Sequence, residues 1–155
     1  MVFGMLPATA LAGSGGSGNP TTEAELTAAI SSANGPTTIV LGDNIDLTET
    51  IAIENGKNIT LDLNDKVLKQ TQTGKRTFII ATGGALTITD DAASKTPKYF
   101  TVTDNLWALT GSTTGNTVTG GVITGCKCNG KGGAILVNGG TLTLSGGAIV
   151  GNTAT

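Results

Sequence analysis

The sequence predicts an all-β fold, a right-handed parallel β-helix that is preceded by an amphipathic capping helix. Three observations predict it: short alternating strands, recurring glycine-rich segments, and a composition with 24 glycines but only 3% aromatic residues. A narrow interior of stacked strands suits small aliphatic side chains, and its corners suit glycine. The composition does not fit a helical bundle or a coiled coil, since only 13% of the residues are charged.

The N-terminal residues 1–12 have the features of a signal-peptide remnant. They read MVFGMLPATALA, an apolar run that ends in Ala10-Leu11-Ala12, an A-x-A cleavage pattern. The basic segment that normally opens a signal is missing, so a disordered N-terminus is the alternative. We expect a mature chain that begins near Gly13, a flexible linker over 13–20, and a secreted or cell-surface protein.

The next element is the capping helix, which we predict over residues 21–35. It begins with the capping-box sequence Thr22-Glu23-Ala24-Glu25 and continues with apolar residues at helical spacing up to Ala33. The sequence Asn34-Gly35-Pro36 ends it, because proline cannot continue a helix. Its apolar face is expected to cover the first strands.

Residues 36–155 are predicted to form the coils of the β-helix, each with three short strands. Strict alternation of apolar and polar residues occurs in ITLDL from Ile59, LTIT from Leu86 and TLTL from Thr141. The predicted strands span residues 38–41, 45–47, 51–53, 59–63, 66–69, 78–81, 85–89, 100–103, 116–119, 121–124, 134–137, 141–144 and 148–150.

Two internal repeats indicate a solenoid. The sequence GGVITG at Gly120 recurs as GGAIVG at Gly146, and GGALTIT at Gly83 recurs as GGTLTLS at Gly139. We interpret the first interval as one coil and the second, which is roughly twice as long, as two coils. The sequence reaches its last residue at a corner without a second cap, so we expect either further coils or self-association through the open C-terminal coil.

Three segments carry a resemblance to a known family. They read ELTAAISSANG (25–35), NITLDLNDKVL (58–68) and GGAILVNGGTLTLSGGAIVGNTA (132–154). In them the chain resembles the glycine-rich, pectin-lyase-like β-helix domains of secreted and surface proteins from Gram-positive, gut-type bacteria. The resemblance implies a solenoid that acts as an adhesin or as a carbohydrate-interacting module.

We therefore expect a non-catalytic structural or adhesive module that contacts surface glycans or host and cell-wall components. The alternative is the N-terminal fragment of a β-helix polysaccharide lyase or glycoside hydrolase. Histidine is absent, which removes the Gly-His-Gly segment of polygalacturonase-type enzymes, and the adjacent Asp90 and Asp91 would point apart rather than flank one bond. We expect no catalytic residue.

Charge and hydropathy exclude two other classes of partner. The net charge is -2 and no basic cluster is longer than Lys75-Arg76, which does not fit a nucleic-acid surface. Beyond the N-terminal segment no apolar run is long enough to span a membrane.

The candidate ligand-binding residues are Tyr99, Trp107 and Lys98. They lie in an insertion between Asp90 and Gly111, and a loop with exposed aromatic rings could stack on sugars. The alternative is a small satellite core that folds the insertion onto the coils.

No cofactor is expected, and calcium is the one metal that the residues suggest. Asp43, Asp46, Asp62 and Asp65 offer the hard oxygen ligands that calcium prefers. Aspartates that cap tight turns are the alternative, since neither the EF-hand loop nor the glycine-rich nonapeptide of calcium-binding β-rolls is present.

Outward threonine pairs suggest a lesser alternative, a self-assembling or ice-binding solenoid. The pairs are Thr87/Thr89 and Thr141/Thr143, with the pairs at 101/103 and 117/119 alongside, and Asp62 interrupts the row. Threonine is also a favoured polar residue of strands.

Cys126 and Cys128 are the only cysteines of the chain. Their spacing leaves three roles open: buried thiols, a local disulfide and a metal ligand pair.

Overall fold

The computed structural model describes residues 18–104 and 106–155. In these residues the chain forms one helix and sixteen strands, which confirms the prediction of a mostly β protein. The signal remnant at 1–12 and residues 13–17 of the linker lie outside the described residues. Pro20, the last linker residue, is buried, and its carbonyl accepts a hydrogen bond from the Gly42 amide at 2.9 Å.

The strands are short, and six of them match the prediction to the residue. The other predicted strands differ by at most three residues at an end, and β9, β12 and β16 were not predicted. The elements are α1 (Glu23–Ser32), β1 (Pro36–Val40), β2 (Ile45–Leu47), β3 (Ile51–Ile53), β4 (Asn58–Asp62), β5 (Val67–Gln70), β6 (Phe78–Ala81), β7 (Ala85–Thr89), β8 (Pro97–Thr103), β9 (Leu106–Leu109), β10 (Asn116–Thr119), β11 (Val122–Thr124), β12 (Lys127–Cys128), β13 (Ile135–Asn138), β14 (Thr141–Leu144), β15 (Ala148–Ile149) and β16 (Thr153–Ala154).

The helix begins as its capping box predicts, with one difference. The Thr22 hydroxyl accepts a hydrogen bond from the Glu25 amide at 3.3 Å. The Glu25 carboxylate reaches back to the Thr21 amide at 2.8 Å, one residue earlier than the standard box. Leu26 and Ile30 are buried in the main hydrophobic cluster, so the helix lays its apolar face on the strands.

Three parallel sheets take their strands from successive passes of the chain. Their orders are β1-β4-β7-β14, β2-β5-β11-β15 and β3-β6-β13, and β12 pairs with β16 in a short parallel pair. One hydrophobic cluster contains buried residues from all three sheets and from the helix. Strands β13, β14 and β15 each lie at the edge of their sheet, and Leu144 of β14 is 51% exposed.

Register in the first sheet produces aligned rows of side chains. Parallel pairing places Leu86 of β7 between two aliphatic side chains of the neighbouring strands, Ile59 and Leu142, on the inner face. The next row faces outward and consists entirely of threonines: Thr38, Thr60, Thr87 and Thr143. Alternation in the sequence therefore becomes an inner aliphatic row beside an outer hydroxyl row.

The copies of each internal repeat lie next to each other. Val122 of β11 pairs with Ala148 of β15, in agreement with the shorter repeat interval. Ala85 of β7 pairs directly with Thr141 of β14. Our interpretation of the longer interval as two coils was therefore wrong: the copies are adjacent, and an inserted sheet supplies the extra length.

The inserted sheet is antiparallel and has the order β10-β8-β9. The chain enters it after Asp90 and returns to the parallel sheets at Gly121, whose amide donates to the Asp90 carboxylate at 3.0 Å. Its third strand, β10, was predicted as a strand of the coils, and the structure places it in the insertion instead. The threonine pairs at 101/103 and 117/119 are also in the insertion, away from the outer threonine row.

The inner aliphatic row leads to a prediction about stability. Leu86 is 1% exposed, so Leu86→Ala is expected to lower the free energy of unfolding by about 2–5 kcal/mol, through lost burial and the cavity that remains. Its neighbour in the outer row serves as the control, and Thr87→Ala is expected to cost less than about 1 kcal/mol. Chemical denaturation measures both, and equal losses would contradict the assigned facing.

Candidate functional site

Carboxylates at the corners of the parallel sheets hold the insertion in place. Asp65, which follows β4, accepts hydrogen bonds from the Thr96 amide at 2.9 Å and from the Thr96 hydroxyl at 2.7 Å. The ammonium of Lys98 lies 2.9 Å from the same carboxylate, and both side chains are largely buried. The start of β8 is thus tied to the corner after β4.

Asp90 connects three parts of the chain. It is only 5% exposed and accepts hydrogen bonds from the amides of Asp65 at 2.7 Å and Gly121 at 3.0 Å. The Lys95 ammonium lies 3.1 Å from it. Asp62, also buried, accepts from the Asp91 amide at 2.9 Å.

The environment favours the ionised form of Asp65 and Asp90. Burial alone would raise the pKa of Asp90, but the amides of Asp65 and Gly121 and the Lys95 ammonium outweigh it, so the pKa lies below its ordinary value. The pKa of Asp65 is lowered in the same way, with burial opposed by Lys98 and by both hydrogen bonds from Thr96. The Asp65 carboxylate is engaged by Thr96 and Lys98 of the insertion, and the Asp90 carboxylate by Lys95 of the insertion and by the amides of Asp65 and Gly121 on either side of it.

The structure places the calcium candidates in these and similar contacts. Asp62 and Asp65 bind the insertion as described, and the exposed Asp43 accepts from the Asn44 amide at 2.7 Å. Asp46 is exposed and lies beside Lys69 in the strand register. Among residues 18–104 and 106–155 no group of three or more acidic or cysteine side chains is arranged to hold a metal ion.

The three ligand candidates do not form one patch. Lys98 is committed to Asp65. Tyr99 and Trp107 lie on opposite faces of the inserted sheet, because Trp107 shares its face with the buried Phe100, its ring 5.8 Å from the Trp107 ring. Burial of Phe100 therefore agrees with the alternative given for the insertion, a small satellite core. Trp107 lies at the margin of this core.

Trp107 also lines a groove between the insertion and the parallel sheets. The groove has a volume of about 300 Å³. One wall is β9, the other is the end of β5 with the corner that follows it, and glycines form part of the floor. Its lining residues are Lys69, Gln70, Thr71, Gln72, Thr73, Trp107, Ala108, Leu109, Thr124, Gly125, Lys127 and Gly151.

Sequence reasoning found Trp107 but missed the rest of this groove. Lys69 and Lys127 are far apart in the chain. From the sequence, Lys69 is an ordinary polar residue of a predicted strand, and Lys127 lies between two cysteines outside the predicted strands. They meet only because β11 pairs with β5 and because Thr73 bridges to Lys127. The glycines of the repeats were the available signal, since Gly125 and Gly151 both end a repeat copy and both line the groove.

The two cysteines are buried and unbridged. The Cys126 sulfur lies 3.1 Å from the Thr77 hydroxyl, and the Cys128 thiol donates to the Lys75 carbonyl at 2.9 Å. Burial raises the pKa of Cys126. Their place in the structure fits the first of the three roles, that of buried thiols.

Comparison with protein-family models gave no match, and comparisons with curated proteins and with solved structures gave none either. In the part of the chain that the structure describes, no helix is both long and apolar enough to cross a membrane.

The buried carboxylates predict a dependence of stability on pH. The pKa of Asp90 is lower in the folded protein than its value of about 3.9 in an unfolded chain. Its stabilising effect is therefore complete above about pH 5 and is lost as the pH falls through the folded value. The difference in melting temperature between wild type and Asp90→Asn should be largest at pH 7 and should shrink toward pH 3.

Asp43→Asn is the control for this measurement, since Asp43 is exposed and, within the part of the chain that the structure describes, its carboxylate accepts a hydrogen bond from the Asn44 amide and from no residue of the insertion. A difference for Asp90→Asn that stays constant from pH 7 to pH 3 would contradict the role assigned to its charge.

Proposed function

We propose that this chain is a right-handed parallel β-helix that serves as a non-catalytic structural or adhesive module of a secreted or cell-surface protein. The observation that carries the proposal is the in-register pairing of parallel strands from successive passes around one shared core. As part of the same proposal, we infer that the chain is related to the glycine-rich, pectin-lyase-like surface domains that it resembles in sequence.

The spacing of paired residues supports the solenoid. In the first sheet Pro36 pairs with Asn58, and Asn58 pairs in turn with Ala85. In the second sheet Ile45 pairs with Leu68, across a similar length of chain. Apart from the pairings that span the insertion, similar intervals recur in separate sheets, as expected for a chain that winds around one axis. Crossovers between parallel strands are right-handed in nearly all proteins.

The helix has the contacts of a cap. The Glu23 carboxylate accepts hydrogen bonds from the amides of Thr48 at 3.0 Å and Glu49 at 2.8 Å, which tie its first turn to the end of β2. At its other end, the Lys57 ammonium donates to the carbonyls of Ser31 at 2.6 Å and Ala33 at 2.7 Å. A helix fixed at both ends protects the first pass from solvent and from edge pairing.

The charged side chains near the insertion are hydrogen-bonded within the protein, which favours a scaffold over an enzyme. The carboxylates next to the insertion hold backbone amides and lysines, and Arg76 donates to the carbonyls of Lys131 and Gly132. Glycoside hydrolysis needs two carboxylates that face each other across the bond. A rigid stack that carries one appended sheet is a common way to present a binding surface.

Glycan-array binding, measured together with product release, tests the proposed function. We expect binding to surface or cell-wall glycans and no release of reducing or unsaturated sugars from pectins and mucins. Turnover by this chain would contradict the non-catalytic role and would favour the alternative, a fragment of a polysaccharide lyase or glycoside hydrolase.

The solenoid itself is tested by removing the insertion. Asp90 and Gly121 are hydrogen-bonded, so replacing residues 92–119 with a short Gly-Ser linker should leave the stacked sheets folded, with a β-type circular dichroism spectrum and cooperative unfolding.

Limited proteolysis of the whole chain provides the parallel measurement. We expect cleavage within 92–119 to leave the parallel body resistant, and a body digested at the same rate would contradict an independent solenoid.

The outer threonine row supports a second candidate, an ice-binding surface. Four threonines stand in register on one face, about 4.8 Å apart from strand to strand. Thermal hysteresis that is lost in Thr60→Glu and kept in Thr117→Glu, a change in the insertion, would favour it. Absence of thermal hysteresis in the wild type would remove it.

A further inference from the structure

We propose that the groove beside Trp107 binds an anionic sugar residue, one that carries a carboxylate or a sulfate. The inference rests on the proposed glycan-contacting function and names the place and the charge of the ligand. Three properties of the groove carry it: the charge of its lining, its aromatic wall and the fixed geometry of its corner.

The lining of the groove is positively charged. It contains two lysines, Lys69 and Lys127, and no aspartate or glutamate. Within residues 18–104 and 106–155, neither lysine forms a salt bridge. The nearest acid in the strand register is Asp46, which stands beside Lys69 outside the lining. In a chain with a net charge of -2, two lysines in the lining of one groove, neither of them in a salt bridge within the described residues, favour an anionic ligand.

The aromatic wall favours a sugar over a simple anion. Trp107 lines the groove and is half-buried, and its ring packs at 5.8 Å against the ring of the fully buried Phe100. Indole rings offer an apolar surface on which the C–H face of a sugar can pack, while hydroxyl and amide groups bind its polar edge. Thr71, Thr73 and Gln72 supply such groups on the opposite wall. A volume of about 300 Å³ is at the small end of ligand sites, the size of one or two sugar residues.

The corner that forms this opposite wall is fixed by buried hydrogen bonds. The Gln70 side chain is 1% exposed and donates to the carbonyls of Glu49 at 3.1 Å and Arg76 at 2.9 Å, while its oxygen accepts from the Gln72 amide at 3.0 Å. The Thr71 hydroxyl donates to the Leu47 carbonyl at 2.8 Å. A wall that is already ordered loses little conformational entropy when a ligand binds.

Gly151 sets the width of the groove. Its φ is +69°, and a Cβ there would lie 2.5 Å from the Trp107 carbonyl oxygen. A side chain at this position would push β9 away from the parallel sheets. Glycine therefore allows the strand that carries Trp107 to approach the floor closely.

Trp107 is the only tryptophan of the chain, so its fluorescence reports on the groove directly. The whole chain is titrated with oligosaccharides of three acidic types, uronate, sialylated and sulfated, and with neutral oligosaccharides of matched size, and calorimetry is run in parallel. We expect saturable binding of at least one acidic type, with a shift in the tryptophan emission. Affinity should fall as salt concentration rises, because the attraction is electrostatic.

Two substitutions locate the binding. Lys69→Ala and Lys127→Ala are each expected to weaken binding about tenfold, the loss of one charge-assisted hydrogen bond. Lys131→Ala is the matched control, since Lys131 is exposed and lies outside the lining. The melting temperature of each variant confirms that the fold is retained.

Three results would overturn the inference: equal affinity for neutral and acidic sugars, no binding of any acidic type, or unchanged affinity in both lysine variants. Glycan binding that survives in Lys69→Ala and Lys127→Ala would leave the adhesive function standing and place the contact elsewhere on the molecule. Absence of binding to every glycan would end both the groove assignment and the glycan-contacting function, while leaving the structural role of the module intact.

Discussion

The parallel register between neighbouring strands is the constraint on which the rest of this structure depends. It aligns Leu86 with the aliphatic side chains on either side of it and places Thr87 in an outer row of hydroxyls. Because side chains alternate with a period of two, a slip of one residue would exchange the rows, burying threonines and exposing leucines. The same register brings Lys69 beside Thr124 and so determines the composition of the groove wall.

Electrostatics then attaches the appended sheet to this stack. Asp62, Asp65 and Asp90 stand at corners where the chain turns between strands, and each accepts hydrogen bonds from backbone amides. Buried carboxylates are costly unless they are satisfied in this way. The acidic residues that first suggest chemistry thus position the wall that carries Trp107, and the side chains that line the groove are neutral or positively charged.

Local pattern predicted most of the strands, because each strand that spans several alternating residues carries its own signal. The two-residue strands β12 and β16 are too short to carry an alternating signal, and they are defined by pairing with distant parts of the chain. The arrangement of the candidate ligand residues in the insertion could not be predicted for a different reason. Lys98, Tyr99 and Trp107 are close in the chain. Strand alternation places Tyr99 and Trp107 on opposite faces of the sheet, and Lys98 forms an ion pair with Asp65. The groove brings together residues from several separate strands and corners, which no local pattern can reveal.

The long interval between Ala85 and Thr141 has a consequence for the entropy of strand pairing. Earlier passes join Pro36 to Asn58 and Asn58 to Ala85, whereas the pairing of β7 with β14 spans roughly twice as much chain. Loop closure becomes more costly with length, by about 0.6 kcal/mol for each doubling. The antiparallel sheet consists of strands that are close in the chain, and its two ends meet where the Gly121 amide donates to the Asp90 carboxylate. The appended sheet thus lowers the entropic cost of pairing β14 with β7, because only a short length of free chain remains to be closed.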